Sequence, residues 1–143
     1  MFADDTLRTR ARRYVPVMSS VTDVADRIFA AIEAGDADAV TDVYADDVVI
    51  WHNDDGLEQT KEQNLRVLGW LVKLTTRREY CAVRRYEIEG GFVQQHDLHV
   101  DLSDGRSAIL PACVIVQVDD GKITRIDEYL DSAAVTATFS PPT

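Results

Sequence analysis

The stretch EYCAVRRYEIEGGFVQQHDLHVDLSDG, residues 79–105, decides the fold class. From Glu79 to Glu89 and again from Phe92 to Leu102 the side chains follow a period of two, and Gly90–Gly91 and Asp104–Gly105 supply the turn chemistry that ends each run. This is a pair of hairpin-linked strands. The pattern continues toward the C-terminus. Ser107 to Val118 reads as a further strand, Asp120–Gly121 as a turn, and Lys122 to Leu130 as the last strand.

Before residue 79 the period is helical. Val21, Val24, Ala25, Ile28, Phe29 and Ile32 recur at helix spacing, with Ser20 and Asp23 placed as a capping box and Gly35 as the stop. Asp36 caps a short second helix that buries Val40, Val43 and Tyr44, and a strand from Val48 to His52 follows. Asn53–Asp54–Asp55–Gly56 is turn chemistry, after which Thr60 with Gln63 opens a third helix carrying Leu65, Leu68, Leu71, Val72 and Leu74. Helices first and hairpins afterwards make an α+β chain, its helices gathered on one face of a mixed, mostly antiparallel sheet.

The 143 residues suit one domain with a single core. Residues 1–19 read as an N-terminal extension, 20–135 as the domain and 136–143 as a frayed tail. Lys and Arg number 15 against 25 Asp and Glu, a formal charge of -10, so the domain repels phosphate backbones and anionic lipid heads. Nucleic acid and membrane surfaces are therefore not expected partners. The basic cluster Arg8, Arg10, Arg12 and Arg13 is confined to the extension and reads as a solvated segment. Cys81 and Cys113 lie in apolar runs without a C-x-x-C pair or a metal-ligand spacing, which predicts reduced core cysteines, no metal and a cytoplasmic location. No signal peptide or membrane span is read from the chain.

Alternation places Leu110, Ala112, Val114 and Val116 on one face of their strand and Ile109, Cys113 and Ile115 on the other, so both faces call for burial. Helices cover one. A second copy of the chain is the expected cover for the other, giving a homodimer through the outer sheet face. Pro111 cannot donate to a ladder and predicts a bulge or bend at its own position.

AIEAGDADAVTDVYADDVVIW at residues 31–51 and DGKITRIDEYLDSA at residues 120–133, together with the element order, resemble the NTF2-like superfamily, in its SnoaL-like, limonene-epoxide-hydrolase-like and ketosteroid-isomerase-like branches. The resemblance covers about residues 21 to 135. It implies a cone in which three helices pack in a strongly curved sheet around a deep apolar pocket, often in a homodimer. The known members include isomerases, cyclases, epoxide hydrolases and binding modules, so the fold leaves the chemistry open.

Val48, Ile50 and His52 share one face of their strand, while Trp51 and Asn53 share the other. The resemblance puts His52 where ketosteroid isomerases carry a general base and epoxide hydrolases a water-holding asparagine. On the strand after Gly91, residues Val93, Gln95, Asp97, His99 and Asp101 share a face, opposite Phe92, Gln94, His96, Leu98, Val100 and Leu102. Alternation alone makes the first set the wet side. The spacing of the epoxide hydrolases' Arg-x-Asp, carried over, instead sends Gln95 and Asp97 inward and gives Glu128, flanked by Ile126 and Leu130, the base position. Catalytic residues expected on this basis are His52, Gln95, Asp97 and Glu128, in a pocket lined by Ile50, His99, Leu110, Ala112, Val114, Ile126 and Leu130. Facing carboxylates in an apolar cavity would leave one of them protonated, an acid–base pair set by environment.

The expected function is cofactor-free acid–base chemistry on a small, largely apolar molecule, most like epoxide hydrolysis by a water held between Glu128 and His52. The alternatives are an isomerase or cyclase in which His52 removes a proton beside a carbonyl, and a non-catalytic binding protein. Departures weaken both family templates: Gln95 for arginine and Ile50 for a water-binding tyrosine on one side, Ile28 for tyrosine and Val114 for aspartate on the other.

Overall fold

The computed structural model describes residues 20–140. The N-terminal extension, including its arginine cluster, and the last three residues lie outside the described residues. In chain order the elements are α1 (Val21–Ala34), α2 (Ala37–Val43), β1 (Tyr44–His52), β2 (Glu58–Gln59), α3 (Lys61–Leu74), β3 (Thr75–Ile88), β4 (Gly91–Leu102), β5 (Ser107–Asp119), β6 (Lys122–Leu130) and α4 (Ser132–Phe139).

The six strands form one sheet in the order β2-β1-β6-β5-β4-β3, parallel only between β1 and β6. This is the α+β architecture with a mixed, mostly antiparallel sheet that the sequence predicts. The helices start and stop where their chemistry dictates. Ser20 and Asp23 form a reciprocal capping box on α1, as do Thr60 and Gln63 on α3. Gly35 ends α1 at φ +68 in the left-handed region.

Arg78 of β3, only 9 % exposed, locks the C-terminus of α1 to the sheet: its Nε donates to the Ile32 carbonyl at 3.0 Å and an Nη to that of Glu33 at 3.2 Å. A cation there offsets the negative end of the helix dipole, and it adds a donor to the Ile32 carbonyl, which already accepts from the Gly35 N–H. The core lies between α1, α2 and the inner sheet face. Val24, Ala25, Ile28 and Phe29 meet Val48, Ile50, Phe92, Val114, Val116 and Ile123, all buried. The Phe29 ring stands edge-on to Tyr80 at 4.8 Å and to Phe92 at 6.2 Å.

Several expectations are corrected. β1 begins at Tyr44 and β3 at Thr75, each four residues earlier than alternation indicates, because the helix pattern runs straight into the strand without a breaker. Residues 136–139, read as tail, are the second half of α4, which Asp131 caps through its side chain. Pro111 causes no bulge. β4 and β5 pair without interruption from Gly91↔Gln117 to Asp101↔Ser107, and Pro111 lies one residue beyond the last β5–β6 pair, Ala112↔Leu130, so that ladder loses no donor. The breaks fall instead between Tyr44 and Val49, between Thr75 and Arg77, between Cys81 and Arg84, where Ala82 adopts φ 52, and between Gln117 and Val118. Cys81 and Cys113 are free, but partly exposed rather than core residues.

Candidate functional site

Two residues of the predicted site meet on the inner face. His52 ends β1 and Glu128 lies directly beside it on β6 in parallel register. Their side chains touch, His52 Nε2 to Glu128 Oε1 at 3.0 Å. Asn53 fixes this register: its amide N–H donates to the Glu128 carbonyl, and its side chain both donates to the Leu130 carbonyl at 3.2 Å and accepts from the Leu130 N–H at 2.9 Å. The turn that stops β1 thus also clamps β1 to β6 one residue beyond the dyad.

The dyad sits at the junction of two spaces. A chamber of about 560 Å³ is lined by His52, Glu128, Leu98, Leu110, Leu130 and Trp70, with Asp54, Asp55, Gln63 and Arg66 contributing polar groups. Phe139 of α4 closes one side and rests on Trp70 with ring centroids 5.2 Å apart. A deeper cavity of about 120 Å³ shares Leu71, Leu98 and Glu128 with the chamber and adds Tyr44, Tyr80, Val114 and Ile126.

Charge in this interior is concentrated on Glu128. Burial pulls the His52 pKa down, but the hydrogen bond and charge of Glu128, assisted by Asp54 and Asp55, outweigh it and the net shift is upward from 6.5. Burial, and then the Glu128 charge, raise Tyr44 and Tyr80, so both remain neutral hydroxyls near neutral pH. The Tyr44 hydroxyl is spent on Asn64 Oδ1 at 2.9 Å. No hydrogen bond joins the Tyr80 hydroxyl to another described residue, and Tyr80 borders the cavity that Glu128 enters.

Gln95, Asp97 and His99 do not join this site. Cross-strand pairs run His52↔Glu128, Glu128↔Val114 and Val114↔Gln94, so it is Gln94 that shares the face of the dyad, and alternation turns its neighbour Gln95 to the other side. Gln95 and Asp97 line an outer hollow of about 770 Å³ together with Arg84, Pro111, Cys113 and Tyr129, and His96, Ala112 and Leu130 also border it. His99, opposite Ile109, has the same outward parity. The carry-over by spacing is one residue out of step, and in a strand a one-residue slip exchanges the faces. Asp97 and Glu128 therefore do not face each other. Nor is there room for a water between Glu128 and His52, which bond directly.

Of the predicted lining, Leu110, Val114, Ile126 and Leu130 border the chamber or the cavity. Ile50 is buried in the core on the same face at 2 % exposure, and Ala112 faces inward opposite Leu130 and His96. The residues that spacing missed are Tyr80, Gln94 and His96. The last two share a face with Phe92 and Leu98, which was the available signal.

Among the described residues no group of three His, Cys, Asp or Glu is placed to hold a metal, and no helix is long and apolar enough to cross a membrane. The arrangement suits proton transfer: an imidazole oriented by a carboxylate, with a neutral hydroxyl in the adjoining cavity, inside largely apolar walls.

No curated protein matches the chain. Solved structures of the same fold do. An NTF2-like protein of unknown function from Burkholderia pseudomallei K96243 is 17% identical, covering 87% of this chain and 100% of its own, with a TM-score of 0.75. A protein with a ketosteroid isomerase-like fold from Catenulispora acidiphila DSM 44928, solved in complex with trimethylamine, is 14% identical over 84% of this chain and 94% of its own at TM-score 0.72. A Shewanella denitrificans OS-217 protein named as a SnoaL-like polyketide cyclase is 10% identical over 82% and 95%, at TM-score 0.73. These likenesses establish the NTF2-like cone. Residues 25–126 match the family model of the SnoaL-like domain, which spans most of the described sheet and helices, and the chain belongs to that family.

Proposed function

We propose that the protein is a cofactor-free acid–base enzyme of the isomerase or cyclase type, acting on a small, largely apolar carbonyl compound. His52 is the base. In its neutral form Nε2–H donates to Glu128 and Nδ1 is left with the lone pair that takes a proton from the carbon beside the carbonyl. Glu128 sets the tautomer and stabilises the imidazolium that forms, and the Tyr80 hydroxyl donates to the developing oxyanion. The observation that carries this reading is the 3.0 Å His52–Glu128 contact in the wall of a largely apolar chamber. Epoxide hydrolysis is not favoured, because Asp97, its expected acid, lies on the far face of the sheet.

The reading is tested by solvent exchange. In deuterated buffer, a panel of cyclic enones and β-keto esters is expected to exchange the proton beside the carbonyl faster with the protein than without it, followed by proton NMR. Binding of the panel with no exchange in any member would instead make the chain a small-molecule-binding protein.

We further propose that a second copy covers the outer sheet face. That face presents Trp51 edge-on to Tyr129 at 5.2 Å, and leaves Tyr129 48 %, Ile109 55 % and Tyr86 57 % exposed, with Val93 and Ile115 paired between them. Sedimentation at micromolar concentration should give a dimer that Ile115→Arg converts to monomer. A monomeric parent chain contradicts it.

A further inference from the structure

The inner sheet face carries a line of polar side chains that the proposed proton transfer does not use. Arg85 Nη1 donates to Asp26 of α1 at 2.7 Å, Arg85 Nε donates to Gln94 Oε1 at 2.9 Å, and Gln94 Nε2 lies 3.0 Å from His96 Nδ1. Gln94 is wholly buried and His96 is 5 % exposed. Buried polar groups held this way are costly unless every member is satisfied, so the line has a definite direction.

Its direction is forced at the arginine. A guanidinium has only donors, so the Gln94 atom that faces it is the carbonyl oxygen. The amide nitrogen, which can only donate, therefore faces His96, and Nδ1 must accept. An imidazole whose Nδ1 accepts is neutral and carries its one proton on Nε2.

The ring borders the hollow that Arg84, Gln95 and Pro111 also line. His96 sits edge-on between Phe29 at 5.7 Å and Tyr80 at 4.7 Å. Nε2 has no hydrogen-bond partner among the described residues. Because no fully buried side-chain nitrogen or oxygen among them is left unpartnered, Nε2 reaches accessible space. We propose that Asp26, Arg85 and Gln94 are positioning residues that hold His96 as a neutral, Nε2-protonated imidazole, a fixed hydrogen-bond donor for an oxygen of a small molecule bound in that hollow.

The charged and titratable groups around the ring agree. Burial lowers the His96 pKa and outweighs Glu128 and Asp97, which act to raise it; Tyr80 is neutral and Arg85 stands behind Gln94. His96 and His52 thus have opposite characters on one face: His52 takes up a proton readily and His96 does not.

Nitrogen-15 NMR of the histidine rings in the intact protein tests this. His96 should show the Nε2–H tautomer alone at neutral pH. Gln94→Glu replaces the amide donor by an acceptor and should convert His96 to imidazolium at neutral pH, its pKa rising by about 1 to 3. Arg85→Met frees the amide to rotate, and both tautomers should then appear. In the parent protein, titration with 2-naphthol, a planar probe that presents one oxygen, should shift the His96 Nε2–H resonance. An Nδ1–H or imidazolium form in the parent, or an unchanged Nε2–H tautomer in both variants, overturns the positioning role. A resonance unmoved by saturating 2-naphthol overturns the donor role. A protein that fails every exchange assay yet shows the fixed tautomer and the 2-naphthol shift loses the acid–base reading and keeps this one.

Discussion

Replacing His52 by Ala is expected to lower the rate of solvent exchange at the carbon beside a substrate carbonyl by about 10²- to 10⁴-fold, the usual contribution of a positioned general base. Glu128→Gln should fall in the same range for a different reason. Glutamine keeps the size and one acceptor, but it neither selects the Nε2–H tautomer by charge nor stabilises the imidazolium. The two variants separate on pH. In the parent, Glu128 raises the His52 pKa above 6.5, so the base form appears, and the rate climbs, as pH rises through that raised value. Without the carboxylate only the lowering effect of burial and the weaker pull of Asp54 and Asp55 remain, and the rise should move to lower pH with a reduced plateau. Stability runs the other way. A pKa raised in the folded state means that the His52–Glu128 pair stabilises the fold fully below about pH 6.5, the unfolded value, and that this contribution fades as pH passes the folded value. The pair is strongest where the base is absent.

The largest effect on folding is expected from Gly91→Ala. A Cβ at Gly91 would lie 1.8 Å from the Val116 carbonyl oxygen and 2.9 Å from its carbon, atoms of the neighbouring strand that cannot rotate away. Either β4 and β5 separate at their Gly91–Gln117 end or the sheet changes its curvature, at a cost of about 3 kcal/mol or more. Thermal unfolding should show a drop of roughly 10 °C or more. Gly90→Ala is the matched control. A Cβ there meets nothing, and its only penalty is the left-handed backbone at φ +76, roughly 1 to 2 kcal/mol. Equal losses at the two positions would show that turn conformation, rather than the close approach to Val116, is what the glycine pair supplies.

Gly90–Gly91 also illustrates how far the sequence could be read. That two glycines between alternating runs make a turn follows from local chemistry. That one serves the turn and the other serves the close approach of the next strand depends on sheet curvature, which no window of sequence contains. The helices were legible through caps and stops at Ser20, Gly35, Asp36 and Thr60, because capping is a local property of a few residues. α4 was not, since Ala133, Ala134 and Val135 give it little apolar periodicity and its place is set by Phe139 meeting Trp70 across the fold.

Within the site, parity found His52 and Glu128, whose faces are marked by the apolar neighbours Ile50, Ile126 and Leu130. Parity also placed Gln94 and His96 inward and Asp97 outward. The spacing of a related motif overrode that assignment and moved three residues to the wrong face. A strand with polar residues on both faces is where such a slip passes unnoticed, because hydrophobicity no longer penalises it. The Arg85–Gln94 bond that permits a buried amide crosses from β3, and pairing between strands is not visible from either strand alone.

Glu128 is expected to govern the proton affinity of His52 inside the chamber. This is tested most directly by following the His52 ring resonances through a pH titration in the parent protein and in Glu128→Gln. The parent should titrate above 6.5 and the variant should titrate at lower pH than the parent. A parent His52 that titrates at or below 6.5, or one whose titration does not move when Glu128 becomes Gln, contradicts the account.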